Sequence, residues 1–166
     1  LAAECGRLGI ECPLLVTDPG LVAIGLVQPV QAALEARDLS AVVFDQVRED
    51  PPEAVILAAA ELARSREVDG VIAVGGGSSM DVAKVVAVLL GGDQQLSDLY
   101  GVGMVSGGRL PLLLVPTTAG TGSEVTPVAV VTTGETTKAG ISSPVLLPDV
   151  AVLDADLTLG LPPAVT

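Results

Sequence analysis

Two short stretches of the sequence are suited to holding oxygen-rich groups rather than to packing: VGGGSSMD at 74–81 and VPTTAGTGSEVT at 115–126. In the first, Gly75, Gly76 and Gly77 strip the side chains from the point where a strand, VIAV, gives way to a helix. Bare backbone there lets a bulky anion approach the amides, and a helix start turns unpaired N–H groups and the positive end of its dipole towards the same place. Gly75, Gly76, Gly77, Ser78 and Asp81 therefore read as a phosphate cradle. The same residues also suit a tight turn in which Ser78 and Asp81 form a capping box, but a run of three glycines at this junction favours the cradle. The pattern is not GxGxxG, because Met80 stands where the last glycine would fall, and no GK[ST] follows as in a Walker loop. The ligand it implies is a nucleotide of some kind. Lys84, one turn into the helix, either reaches a phosphate or snorkels from an otherwise apolar helix.

The second stretch offers complementary groups. Thr117, Thr118, Thr121 and Ser123 supply hydroxyls, and Gly120 and Gly122 keep the backbone open, at the carboxyl end of LPLLLV. Open α/β sheets place ligands at that edge, and hydroxyls with bare amides suit ribose and pyrophosphate oxygens. An ordinary turn stabilised by local hydroxyl bonds fits the same residues. Glu124 either orients the loop or is solvated. Asp18 ends PLLVT, just before Pro19-Gly20. A carboxylate there can accept both hydroxyls of an adenine ribose and repel a 2'-phosphate, selecting NAD over NADP; it can equally cap the following helix. The generic Rossmann order puts this acid after the glycine loop, whereas Asp18 precedes it.

Composition removes several function classes. The 166 residues contain no histidine, which rules out a Ser-His-Asp triad, a His-activated cysteine or an imidazole-held metal within the chain. The 20 acidic against 8 basic residues give a formal charge of -12, which repels nucleic-acid backbones and anionic membrane surfaces. Cys5 and Cys12 fit neither a disulfide framework nor a metal site and read as reduced bystanders. No apolar run is long enough for a membrane span and the first residues, LAAECGRLGIEC, lack a signal-peptide layout, so a cytoplasmic protein is expected.

The elements that must position the two loops alternate regularly. Pro13–Thr17, Ala41–Phe44, Val71–Val74 and Leu110–Val115 are short aliphatic runs ending in polar or small residues, as buried parallel strands do. Between them, Gly20–Arg37 has helical spacing with Pro29 opening its second half, Pro51-Pro52 start an alanine-rich helix, and Ser79–Leu90 is the next helix. Pro127–Thr133 and Lys138–Ser142 predict a hairpin about the GET turn, and Val150–Leu153 a last strand. Gly91–Gly108 reads as a surface loop with one helical turn. The fold class predicted is α/β, a Rossmann-like parallel sheet with helices on both faces plus a β-hairpin annex, forming one dinucleotide-binding domain over 1–166.

Taken together, LLVTDPGL, GGGSSMDVAK, PTTAGTGSEVTPVAVVT and LLPDVAVLDADLTLGLPP resemble, in order and spacing, the iron-containing (group III) alcohol dehydrogenases over essentially the whole chain. The resemblance implies NAD across the carboxyl edge of the sheet. It implies pyrophosphate on Gly76, Gly77 and Ser78, Asp81 towards the nicotinamide, Thr117, Thr118 and Thr121 along the ribose and adenine path, and Asp18 on the adenine ribose. Lys138 matches a family lysine beside the nicotinamide ribose; a hairpin lysine is otherwise solvated. Family members continue into an all-helical domain whose aspartate and three histidines hold iron or zinc. This sequence stops before any of them and opens inside a helix, so it resembles the cofactor half of a two-domain enzyme, inactive alone. The expected partner of the complete enzyme is a small-molecule alcohol or aldehyde of unspecified chain length, with a homodimer as the assembly. A freestanding dinucleotide-binding module without catalysis, or a relative of glycerol dehydrogenase or dehydroquinate synthase, are the alternatives; the TTAGTGSE loop favours the alcohol dehydrogenase branch. A purely structural domain would require both loops to be incidental.

Overall fold

The computed structural model describes residues 1–134 and 136–160. Helix α1 (Ala2–Arg7) leads into β1 (Pro13–Val16), α2 (Pro19–Ala23), α3 (Gln28–Glu35), β2 (Val42–Phe44), α4 (Glu53–Ser65), β3 (Gly70–Gly75) and α5 (Gly77–Gly91). A two-residue strand β4 (Gly101–Val102), then β5 (Leu112–Pro116), β6 (Val128–Thr133), β7 (Thr137–Ser142) and β8 (Val150–Ala151) follow. The main sheet has five parallel strands in the order β2-β1-β3-β5-β8.

Period-2 alternation explains how this sheet is buried on both sides. Leu14, Val16, Val71, Ala73, Leu112 and Leu114 point into one core with Ile56, Ala60 and Ala63 of α4 and most of α5. Leu15, Ile72, Val74, Leu113 and Val115 point into the other, with Cys5, Leu21 and Leu34 from α1 to α3. Helix α5 is buried continuously from Ser79 to Leu89, because sheet, α4 and hairpin enclose it; a helix that is apolar all round belongs in such a place.

The α/β class and every predicted strand are present, with three differences. The helix expected over 20–37 is two helices, α2 and α3, because Gly25 turns at φ +80 between them and Pro29 sits at the start of the second. The expected loop 91–108 contains a 3-10 turn at Leu96–Asp98 and also β4, which pairs with β7 and makes the hairpin a three-stranded sheet, β4-β7-β6. Strand β8 ends at Ala151, short of the predicted Leu153. The turn residue Glu135 and the LPP at the end of the last matched motif lie outside the described residues. Among the described residues no helix is long and apolar enough to cross a membrane.

Candidate nucleotide-binding cleft

The carboxyl ends of β1, β2, β3 and β5 share one edge, and a cleft of about 500 Å³ opens there. Its lining combines Asp18, Gly76, Gly77, Ser78, Thr117 and Thr118 with Val47, Arg48 and Glu49. Parallel strands bring these distant residues together: β3 and β5 pair through Gly75 and Pro116 at their last register position, and the Thr117 amide donates to the Gly75 carbonyl at 3.0 Å. The glycine loop and the threonine loop are thus joined at their bases.

Each glycine of the first loop has its own reason. A side chain at Gly75 would place Cβ 2.5 Å from the Ser79 hydroxyl, so this glycine lets the helix fold tightly over the strand. At Gly77 a Cβ would lie 3.0 Å from the Thr121 methyl, which is where the second loop passes over the first. Gly76 is the N-cap of α5, and no side chain caps that helix. The capping-box reading of Ser78 and Asp81 therefore fails, and the first amides of α5 have no partner among the described residues. They face an open cleft at the positive end of a fifteen-residue helix, a geometry that suits an anion.

Asp18 satisfies one reading while leaving room for the other. Its Oδ1 accepts from the Leu21 amide at 3.0 Å and caps α2, and Oδ2 takes no hydrogen bond from the described residues. A half-buried carboxylate oxygen thereby faces the cleft mouth. In the second loop the Ser123 amide donates to Thr121 Oγ1 at 3.3 Å, a local bond of the turn type. The Thr118 hydroxyl, buried at the base, has no partner among the described residues. An orphaned hydroxyl beside a bare helix start fits a phosphate- and ribose-bearing ligand, since a buried polar atom without a partner is costly. The cradle, Thr118 and Asp18 together suit a dinucleotide such as NAD.

Three sequence expectations lie elsewhere. Asp81 is not in the cleft lining: it is 9% exposed, and its Oδ2 accepts from the Val130 amide of β6 at 3.0 Å while Oδ1 has no partner among the described residues. Burial pushes its carboxyl above the ordinary range, against the opposing pull of the Val130 amide, the Lys84 ammonium and the Ser123 hydroxyl. Lys138 pairs with Asp50 at 2.5 Å, both groups being more than half exposed, and is not among the cleft residues. Lys84 neither reaches a phosphate nor snorkels: it is wholly buried and donates to the Thr126 and Val128 carbonyls at 2.9 and 2.8 Å. Burial pushes its pKa down, partly countered by Asp81 and Glu124. Arg48 and Glu49 escaped the sequence reading; they follow β2, and only the strand order β2-β1-β3 brings the end of β2 beside Asp18.

Among the described residues no three His, Cys, Asp or Glu side chains converge, and the sequence lacks histidine altogether.

Comparison with known proteins agrees with this geometry. A 4-hydroxybutyrate dehydrogenase of Cupriavidus necator is 43% identical over 170 aligned positions, covering 100% of this chain and 44% of the relative. Long-chain-alcohol dehydrogenase 1 of Geobacillus thermodenitrificans is also 43% identical, with 42% of its length covered. The solved structure of a 1,3-propanediol oxidoreductase superimposes with a TM-score of 0.95 at 32% identity, over 100% of this chain and 44% of that one. A sulfoacetaldehyde reductase from Bifidobacterium kashiwanohense in complex with NAD+ superimposes with a TM-score of 0.88 at 34% identity, over 99% of this chain and 44% of its own. The chain thus spans less than half the length of these relatives. The model of the iron-containing alcohol dehydrogenases matches residues 1–155, and with the two joined loops on one sheet edge this shows that the chain belongs to that family.

Proposed function

We propose that these residues form the cofactor-holding part of an NAD-dependent alcohol dehydrogenase acting on a small alcohol or aldehyde. The observation that carries this reading is the single cleft in which the bare start of α5, the unpartnered Thr118 hydroxyl and Asp18 face one another. In it the amides of Gly77 and Ser78 hold the pyrophosphate, Thr117 and Thr118 meet ribose oxygens, and Asp18 Oδ2 accepts from the adenine ribose. NAD, when bound, supplies the hydride acceptor for oxidation of the alcohol carbon. The chain's own contribution is to fix the cofactor's orientation and to disfavour a 2'-phosphate. Support for NAD over other nucleotides comes from Asp18 and from the likeness to a reductase solved with NAD+. No step is assigned to a metal on these residues, whose donor set does not fit one; iron or zinc would need ligands from outside them.

Calorimetric titration of this chain with NAD and with NADP tests the proposal. The expected result is saturable NAD binding with NADP at least tenfold weaker, and a narrowed preference in Asp18→Gly, the tenfold corresponding to about 1.4 kcal/mol. Glycine is tolerated at N-caps, so that variant keeps its fold to within a few tenths of a kcal/mol. A folded sample that binds neither nucleotide overturns the assignment.

A further inference from the structure

The hairpin β6–β7 lies against α5 with the outer edge of β6 facing the helix. Along that edge the outward backbone groups are taken up one after another. The Val128 carbonyl accepts from Lys84 Nζ at 2.8 Å, the Val130 amide donates to Asp81 Oδ2 at 3.0 Å, and the Thr132 amide donates to the Pro51 carbonyl at 2.9 Å. Lys84 also donates to the Thr126 carbonyl at 2.9 Å and to the Thr126 hydroxyl at 3.4 Å. One fully buried ammonium therefore joins the end of the threonine loop to the first residue of β6.

The loop that begins at Thr117 is held at its base by the Thr117 amide on Gly75. Its far end, after the 3-10 turn Ser123–Val125, is held by Lys84 on Thr126. Between the anchors the chain passes Gly120 and Gly122 at φ +153 and +63, and its own hydrogen bonds there are local, Ser123 amide to Thr121 and Val125 amide to Gly122. Thr121, in the middle, stands over Gly77. Where Thr121 sits relative to the cradle thus depends on where the two ends are fixed. A methionine would fill the space of Lys84 without the several kcal/mol that desolvating an ammonium costs. The charge is spent on holding two carbonyls that no apolar side chain can hold.

We propose that Lys84 is a positioning residue of the cofactor site, setting the far end of the 117–126 loop so that Thr121 and its neighbours close over the glycine cradle. The inference rests on the reading of the cleft as an NAD site. It adds a residue outside the cleft lining, acting through the loop rather than by touching the ligand.

The test compares NAD affinity and thermal stability in the parent and Lys84→Met, with affinity measured by calorimetry well below either melting temperature. A rise in the NAD dissociation constant of about tenfold in a variant that keeps the parent's far-UV circular dichroism is expected. A variant that melts earlier but binds NAD as the parent does would mean that Lys84 only stabilises the fold, and overturns the inference while leaving the NAD site standing. A parent that binds no NAD overturns the site itself. Hydrogen exchange of the unaltered chain supplies a second arm that needs no substitution. NAD should raise protection across 117–126 and, through the Lys84 and Asp81 anchors, at the amides of 128–132. Protection confined to the glycine loop contradicts the proposal.

Discussion

The two ends of the main sheet are finished differently. At the amino end several charged side chains are spent on the chain itself. Asp69 accepts from the Glu11 and Cys12 amides, both at 2.9 Å, and Arg64 donates to the Leu89 carbonyl at 2.8 Å. Arg109 donates to the Val145 and Leu147 carbonyls and pairs with Asp149, which also takes the Leu112 amide. At the carboxyl end lie all three buried unpartnered polar atoms found among the described residues, Thr17 Oγ1, Thr118 Oγ1 and Asp81 Oδ1. Such atoms weaken a fold unless something else meets them. One end is closed for stability and the other keeps capacity in reserve, which is the asymmetry expected where open α/β sheets bind ligands.

Substitutions at matched positions sharpen this contrast. The largest effect is expected at Gly91, near the amino end, where a Cβ would lie 2.4 Å from the Arg109 Cα. Gly91→Ala should cost about 3 kcal/mol in urea unfolding, since backbone rather than a flexible side chain must move, while NAD affinity of the folded fraction is unchanged. Gly77→Val, at the carboxyl end, should act chiefly on affinity. It puts a Cβ 3.0 Å from the Thr121 methyl and two methyls beside it, and should lower NAD affinity about a hundredfold, roughly 2.7 kcal/mol, with a fall in melting temperature smaller than that of Gly91→Ala because a side chain rather than backbone gives way.

Asp149→Asn should cost about 1–2 kcal/mol at neutral pH by weakening charge-assisted bonds to Arg109 and Leu112. Burial pushes the Asp149 carboxyl up, but the Arg109 guanidinium and the Leu112 amide outweigh it and hold the carboxyl below its ordinary range. A depressed folded-state pKa stabilises the fold above the unfolded value of about 3.9 and ceases to do so as pH falls through the folded value. Unfolding followed down this window should show the parent losing the advantage that the Asn variant never had. A parent and variant with parallel acid profiles would mean that the bridge does not contribute. The smallest effect is expected at Thr118→Val, which removes an unpaired hydroxyl. Stability should stay level or rise by up to about 1 kcal/mol, and NAD affinity should fall by about fivefold, again below 1 kcal/mol.

What the sequence disclosed followed from local chemistry. VIAVGGG announces a buried strand running into a bare turn, and the helix after it starts at Gly77, two residues before the predicted Ser79. The strand runs were equally readable, because a parallel strand covered on both faces is apolar at every position. Long-range geometry was not readable in the same way. Whether Lys84 meets solvent, ligand or backbone depends on a hairpin more than forty residues away folding over α5. A hint was available: the surrounding run MDVAKVVAVLL has no polar face from which a lysine could reach water. Arg48 and Glu49 carry no local signal, and only the strand order brings them into the same cleft as Asp18. Asp81 reads from the sequence as part of the cradle, with a capping box as the alternative, and it holds the Val130 amide of a distant strand, since an Asp on a helix can satisfy whichever backbone amide packs nearest.

The way β6 meets α5 also bears on how the protein behaves in a crowded solution. An outer strand with unspent amides and carbonyls is a template on which another molecule's strand can add, and natural sheets block such growth with charges, short strands or covering elements. Here a lysine, an aspartate and the Asp50-Pro51 segment occupy that rim, and β4 on the opposite rim is only two residues long. Exposed valines at 102, 128 and 130 leave the small sheet apolar, so loss of the rim contacts would turn it into a seed for intermolecular aggregation.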